Sequence, residues 1–255
     1  METSGGLTIP ADGIGGSWIV KLPSARLEGV PENEFAMMEL ARQIGISVPR
    51  LKRVPISEIE NLPRDAGKME GFALAVERFD RKPDGGRIHM EDFAQVFGVY
   101  ANDKYDRHSY ANIAHVLAAE AGEEGVMDFV RRLVYSVLIG NADMHLKNWS
   151  LLYPDGRKPT LAPAYDYVST VPYLPDGELA LGFGDSKRLD TITHDQIRRF
   201  ADTASLAVSP LWRLVQETTE KTISAWKTLE ARDIIPKAVR DATDEHLNQV
   251  ARSIK

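Results

Sequence analysis

The periodicity of apolar residues becomes helical from about Glu91 onward, and this change constrains the fold more than any other sequence feature. Before it, residues 18–22 and 71–77 are short runs rich in β-formers, which is typical of strands. After it, apolar residues recur at helical spacing, as in Val130, Leu133, Val134, Val137 and Leu138. The pattern predicts an α+β chain with a small β-rich N-lobe over residues 1–80 and a larger, mainly helical C-lobe over residues 81–255.

Local signals place further elements within these two lobes. Residues 31–44 are predicted to form a helix, because Pro31 suits a first turn, Glu34 complements the positive end of the helix dipole and Gly45 suits a stop. Residues 46–56 are predicted to form an edge strand. Residues 149–153 and 160–162 are predicted to form a hairpin, and the last sixty residues to form two or three amphipathic helices.

Composition excludes several classes of protein. The 255 residues include no cysteine, so disulfide frameworks, thiolate nucleophiles and cysteine-bound metal centres are all excluded. The net charge of −6 argues against a surface built to bind nucleic acid directly. No run of apolar residues approaches the ~18 that a membrane-spanning helix needs.

One polar segment carries the strongest chemical signal. Asn148 follows Asp143 by five residues, and Asp166 follows Asn148 by eighteen, beyond the predicted hairpin. Phosphoryl transfer in protein kinases uses this spacing, because one carboxylate orients the attacking hydroxyl while an amide and a second carboxylate hold Mg²⁺. The competing interpretation is a capped turn, since Asp and Asn are common turn formers.

Five segments, in matching order, resemble the HipA-type serine/threonine kinases, which are the toxins of bacterial toxin–antitoxin pairs. They are residues 19–23, 76–81, 89–95, 141–152 and 161–170. The segment that contains Asp143, His145 and Asn148 also resembles the D-x-H-x-x-N loop of phosphoinositide kinases. The resemblance implies a two-lobed, protein-kinase-like fold with ATP in the cleft between the lobes.

The resemblance also implies roles in the catalytic loop. Asp143 would be the catalytic base, His145 would lock the loop by hydrogen bonds, and Lys147 would reach the γ-phosphate. Asn148 and Asp166 would be the Mg²⁺ ligands. For Lys147 the alternative is an ordinary surface charge.

Further roles fall in the predicted N-lobe. Lys21 would pair with the α- and β-phosphates of ATP, and Glu34 is the candidate to hold Lys21 in place. Glu77 and Phe79 match the hinge, whose main chain would meet the adenine edge. For Lys21 the alternative is a solvated lysine at a strand end. For Glu34 it is a glutamate that only complements the helix dipole, and for Phe79 it is simple packing in the core.

The expected cofactors are ATP and Mg²⁺, and the expected partners follow from the family. A protein substrate is expected, with aminoacyl-tRNA synthetases and other translation components as candidates, together with a small DNA-binding antitoxin. Contact with DNA would come through that antitoxin, with no direct nucleic-acid binding and no membrane association. A cytoplasmic location in a bacterium is expected.

The sequence departs from the family at its front end. Upstream of Leu7, no segment matches the family's glycine-rich loop or its N-terminal subdomain. That part would be truncated, reduced to Ser4, Gly5 and Gly6, or supplied by a separate subunit, and Ser4 and Ser17 are candidate autophosphorylation sites. Two alternative functions stay open: a pseudokinase that binds a helix-turn-helix antitoxin, and a kinase for a lipid or small-molecule hydroxyl.

Overall fold

The N-terminal part of the chain forms two small sheets. The computed structural model describes residues 2–3, 6–8, 16–24, 26–60, 62, 69–100 and 108–254. The strands of these sheets are β1 (Glu2–Thr3), β2 (Gly6–Thr8), β3 (Trp18–Lys21), β4 (Leu51–Pro55), β5 (Ile59–Glu60) and β6 (Phe72–Glu77). The first sheet has the order β1-β2-β5 and the second has the order β3-β6-β4. Ser4 and Gly5, assigned above to a reduced loop, lie outside the described residues.

Strand β6 is the centre of the second sheet and is antiparallel to both neighbours. Its residues Ala73, Leu74 and Ala75 are fully buried, which explains the continuous apolar run in the sequence. On β3, Ile19 and Lys21 share one face because side chains alternate along a strand. That alternation turns Lys21 toward the site described below.

Helix α1 (Val30–Gln43) lies between β3 and β4 in the sequence, as predicted. Pro31 occupies its first turn, and Gly29 precedes it in the left-handed conformation, with φ of 70°. Gly45 follows it with φ of 88°, the conformation in which glycine commonly ends a helix. Its buried polar residues are Asn33 and Glu34, both near the helix start.

The larger part is mainly helical. Its helices are α2 (Phe93–Val96), α3 (Tyr110–Glu120), α4 (Gly122–Leu138), α5 (His194–Ala204), α6 (Val208–Thr228) and α7 (Lys237–Ser253). The predicted apolar stripe of α4 is buried throughout. None of the helices in the described ranges is both long and apolar enough to cross a membrane.

A third sheet lies beside these helices and contains one strand that was not predicted. It has the order β7-β8-β9 and is formed by β7 (His89–Asp92), β8 (Ser150–Tyr153) and β9 (Thr160–Leu161). The β8–β9 pair is the predicted hairpin. The prediction of helical structure from Glu91 onward was wrong at β7, because pairing with β8, some sixty residues away, decides its conformation.

Helix α1 belongs to the main core of the molecule. Its residues Ala36, Met37 and Leu40 share one continuous buried cluster with Leu133 and Val137 of α4. Buried residues of the two N-terminal sheets form a second, smaller cluster: Val54, Ile56, Ile59, Ala73 and Ala75. The whole is an α+β fold of small, mainly antiparallel sheets and a helical C-terminal part.

Candidate functional site

A cleft of about 330 Å³ lies where the β3-β6-β4 sheet faces the larger part. It brings together five predicted site residues: Lys21, Glu77, Phe79, Lys147 and Asp166. Glu34, the candidate partner of Lys21, also lines it. The other three predicted residues, Asp143, His145 and Asn148, lie on the same loop as Lys147.

Lys21 joins two carboxylates from distant parts of the chain. Its Nζ lies 2.6 Å from Oε1 of Glu34 on α1, and it also donates to Oδ1 of Asp166. Glu34 is almost completely enclosed, with 4% of its side chain exposed. The result is a row of three charges, Glu34–Lys21–Asp166, along one wall of the cleft.

Burial and charge shift the pKa values of this row. Burial by itself lowers the pKa of Lys21, but Glu34 and Asp166 outweigh it, so the net pKa lies above its usual value. Burial raises the pKa of Glu34 to about 7, and the Asp166 charge adds to this while the Lys21 ammonium opposes it. The short contact favours a charged pair, whereas burial favours a protonated Glu34. With its pKa above the usual value, Lys21 is charged at neutral pH.

The loop that contains Asp143 begins directly after α4 and is closed by hydrogen bonds. Oδ1 of Asn141 accepts the Asp143 N–H at 3.1 Å, and Nδ2 of Asn148 donates to the Asp143 carbonyl at 2.9 Å. The main chain of Asp143 is thereby fixed from both ends, while 53% of its side chain stays exposed. A carboxylate held in this way is available to a group that approaches from solvent.

His145 and Lys147 occupy different surroundings on this loop. The His145 ring is buried, and its Nε2 lies 4.0 Å from Oδ1 of Asp143, which is beyond hydrogen-bond distance. Lys147 is exposed and lines the cleft. Its carbonyl accepts the Tyr165 hydroxyl at 2.9 Å, which ties the loop to the segment that contains Asp166.

Asp166 has an unusual backbone conformation. Its φ is +63°, and Ser205 is the other non-glycine residue with a positive φ in the described part of the chain. Such conformations are costly for residues with a Cβ and cluster at functional sites. The Asp166 carbonyl accepts Nδ2 of Asn141 at 3.4 Å, so the same asparagine contacts both aspartate segments.

Glu77 and Phe79 lie at the edge of the cleft where β6 ends. The Glu77 amide donates to the Arg50 carbonyl at 2.9 Å, and the Arg78 amide donates to the Ser17 carbonyl at 2.8 Å. The Phe79 N–H forms no hydrogen bond within the described residues. The Phe79 ring packs on Tyr165, with ring centroids 5.7 Å apart.

Asp80 is a charged residue of the cleft wall that the sequence analysis did not assign to the site. Asp80 accepts two hydrogen bonds from the Arg78 guanidinium, at 2.9 and 2.7 Å, and a further one from Arg81. Burial acts to raise the pKa of Asp80, but the two arginines outweigh it and hold the pKa below its usual value. The alternating charges of residues 78–81 were the available signal, but an exposed cluster would have the same sequence.

The types of oxygen ligand that Asp166 and Asn148 offer suit a magnesium ion. Because Nδ2 of Asn148 is used in the loop, its amide oxygen is the atom left to face a cation. Across the described ranges, no three His, Cys, Asp or Glu side chains form a closed metal site. A site of one carboxylate and one amide suits Mg²⁺, which is commonly held by one or two carboxylates together with phosphate oxygens. Asp166 and Asn148 are the residues that would hold it.

Comparison with known proteins agrees with this architecture. The profile of the HipA-like C-terminal domain matches residues 8–226. The candidate kinase Y4dM of Sinorhizobium fredii is 48% identical over 247 residues, which cover 96% of this chain and 60% of that protein. The serine/threonine-protein kinase toxin HipA of Shewanella oneidensis is 29% identical over 210 residues, which cover 72% of this chain and 45% of that protein. The chain thus spans about half the length of these relatives.

Two solved structures share the fold. HipA of Shewanella oneidensis, solved with HipB and operator DNA, superposes with a TM-score of 0.73 at 23% identity, over 94% of this chain and 58% of that one. The Helicobacter pylori proinflammatory kinase CtkA superposes with a TM-score of 0.60 at 12% identity, over 98% of this chain and 94% of that one. With the family profile matching most of its length, the chain belongs to the HipA-like C-terminal domain family.

Proposed function

We propose that this protein is an ATP-dependent serine/threonine protein kinase. The observation that carries the proposal is the charge row Glu34–Lys21–Asp166 in the wall of the cleft, in which Lys21 and Asp166 are 145 positions apart in the chain. A lysine held by a buried glutamate, next to an aspartate that follows a hairpin, is the arrangement with which kinases grip phosphates and metal. The relatives named as kinases support the same activity.

Each wall of the cleft has a separate task in binding ATP. Ile19 and Val76 supply apolar surface for the adenine ring, and the Phe79 N–H is the main-chain donor that we expect to face the edge of the base. Lys21 neutralises phosphate charge from one side. Lys147, which lines the same cleft, is the second cation that we assign to the phosphates.

Mg²⁺, when bound by Asp166 and Asn148, would neutralise charge on the phosphates. Asp143 orients the acceptor hydroxyl and takes its proton. The new bond joins the acceptor oxygen to the γ-phosphorus, the bond between that phosphorus and its bridging oxygen breaks, and ADP leaves. The carboxylate of Asp143, with 53% of its side chain exposed, suits a large acceptor such as a protein hydroxyl.

A small DNA-binding antitoxin is the partner that we propose. The solved structure of Shewanella HipA contains HipB and operator DNA, which supports an assembly of this kind. The net charge of −6 suits a basic DNA-binding partner better than direct contact with DNA.

Incubation with γ-labelled ATP and Mg²⁺ tests the proposal. The purified protein is expected to label itself or a protein in a bacterial lysate, and Asp143→Asn is expected to lose at least about 99% of that label, because general-base catalysis typically contributes 10²–10⁴-fold. Circular dichroism of both proteins shows whether the variant is folded. Equal labelling by wild type and variant would contradict the assigned role of Asp143.

The labelling experiment and calorimetry together distinguish the alternative functions. A labelled lipid or small molecule with no labelled protein band would identify a kinase for another class of hydroxyl. Failure of calorimetry to detect Mg·ATP binding would favour a binding module for the antitoxin.

A further inference from the structure

Two consecutive residues of α1 are connected to the segment that contains Asp166 by separate contacts. Glu34 is connected through Lys21, as described above. Asn33 is connected through the main chain of Ser169, three residues after Asp166. Its Oδ1 accepts the Ser169 N–H at 3.1 Å, and its Nδ2 donates to the Ser169 carbonyl at 2.9 Å. The side chain of Asn33 is fully buried.

The chemistry of this contact requires an amide side chain. The main chain of Ser169 offers one donor and one acceptor, and the carboxamide of Asn33 presents the complementary pair. An aspartate would lose the donor, and an alanine would lose both groups.

The contact lies close to a residue with an unfavourable backbone conformation. Asp166 holds a positive φ, and Nδ2 of Asn141 binds its carbonyl at 3.4 Å. On the other side of Ser169, Oγ1 of Thr243 in α7 binds the Ser169 hydroxyl at 2.9 Å. Thr243 therefore contacts the side chain of Ser169, whereas Asn33 contacts its main chain.

We propose that Asn33 is a positioning residue that holds the segment 166–169 against α1, so that the carboxylate of Asp166 stays beside Lys21 in the orientation that binds a divalent cation. The proposal rests on the proposed function, in which Asp166 and Asn148 hold Mg²⁺. Residues that orient metal ligands commonly change metal affinity by 10–100-fold when they are replaced. We therefore expect replacement of Asn33 to act mainly on metal-dependent binding.

Calorimetry of ATP binding, with Mg²⁺ and then with EDTA, tests this. The variants are Asn33→Asp and Asn33→Ala, and the control is Thr243→Val, which loses a buried hydrogen bond to the same serine without touching its main chain. Wild type and Thr243→Val should bind ATP more tightly with Mg²⁺ than with EDTA. In both Asn33 variants the increase in ATP affinity that Mg²⁺ produces should be smaller at least about tenfold. Their affinity for ATP in EDTA should equal that of wild type.

A second measurement needs neither metal nor nucleotide. Hydrogen exchange of the Ser169 amide should be at least about tenfold faster in Asn33→Ala than in Thr243→Val, because only the first variant removes the acceptor of that amide. Equal exchange in the two variants, or an unchanged gain from Mg²⁺ in both Asn33 variants, would overturn the proposal. If wild type itself gains nothing from Mg²⁺, the proposed function fails, and the exchange experiment still decides whether Asn33 holds the segment.

Discussion

At the scale of single residues, the central interaction of the site is the contact of one Lys21 ammonium with two carboxylates. One ammonium group serves the buried Glu34 and the half-exposed Asp166. Removing the ammonium would leave Glu34 buried without its counter-charge, which is strongly unfavourable for a carboxylate. The same ammonium is the group that we assign to the phosphates.

Replacing Lys21 with methionine keeps most of the side-chain volume and removes the charge. We expect Lys21→Met to weaken Mg·ATP binding at least about tenfold, which corresponds to ~1.4 kcal/mol, because a charge-assisted contact to phosphate is lost. Calorimetry measures this directly. Lys82→Met, at an exposed lysine of the turn before β7, is the matched control and should leave the affinity unchanged. Equal affinity of Lys21→Met and wild type for Mg·ATP would show that Lys21 does not contact the phosphates.

At the scale of elements, the junction between α4 and the loop that contains Asp143 is unusually constrained. Gly140 follows α4 with φ of 69°, and a Cβ at this position would lie 2.8 Å from Cγ1 of Val171 and 2.9 Å from Cδ2 of His246. The junction therefore needs glycine for two reasons, backbone conformation and close packing. Asn141 and Asp143 are positioned directly after it.

Comparison of two alanine variants separates these reasons. Gly140→Ala should lower the free energy of unfolding by about 2–5 kcal/mol, as backbone strain and overpacking combine. Gly156→Ala is the control, because Gly156 has a similar φ of 75° and no atom within 4 Å of a new Cβ. It should lose only about 1–2 kcal/mol. Urea denaturation measures both, and equal losses would show that packing around Gly140 adds nothing.

At the scale of the whole molecule, α1 makes the N-terminal sheets and the helical part dependent on one another. Its buried face lies in the main core, and the Tyr135 hydroxyl of α4 donates to the Met37 carbonyl at 2.5 Å. A helix fixed in this way holds Glu34 and Asn33 at constant positions relative to the loop that contains Asp143. We expect the two parts of the fold to unfold together.

Calorimetry tests this cooperativity. A single transition is expected, with calorimetric and van't Hoff enthalpies equal, as for a two-state domain. Leu40→Ala, which removes a buried side chain of α1, should lower the midpoint of that one transition and cost about 2–5 kcal/mol. Two separate transitions, with only the first shifted by Leu40→Ala, would contradict the shared core.

The packing of α7 gives stability a pH dependence. The ring of His246 is buried and its Nε2 lies 2.8 Å from the Val137 carbonyl at the end of α4. Burial lowers the pKa of His246 below its usual 6.5, although the Val137 carbonyl and Asp190 oppose this. Below pH 6.5 the unfolded chain therefore binds a proton that the folded chain resists.

Stability should accordingly fall as the pH drops from 6.5 toward the folded pKa of His246. One such group contributes at most ~1.4 kcal/mol per pH unit. Urea denaturation at pH 7.5 and pH 5.5 measures the loss, which should be smaller in His246→Asn than in wild type. An identical pH dependence in the two proteins would exclude His246 as the source.

Local patterns in the sequence were enough to predict many elements. The apolar stripe of α4, the start and end of α1 and the β8–β9 hairpin each depend on neighbours within a few residues, so their sequences carry the signal. The spacing of Asp143, Asn148 and Asp166 likewise indicated a kinase-like loop, and five of the eight predicted site residues line one cleft. Their chemical roles stay predictions.

Contacts between distant residues were decided by the tertiary structure alone. The pairing of β7 with β8, the bonding of Asn33 to Ser169 across 136 positions and the place of α1 in the main core have no local signature. Asn33 in a helix and Asp80 in a charged run look ordinary until their partners are known. The sequence by itself determined which residues could carry the chemistry, because periodicity and spacing are local. The tertiary structure decided which of them meet, because burial and long-range hydrogen bonds exist only once the chain has folded.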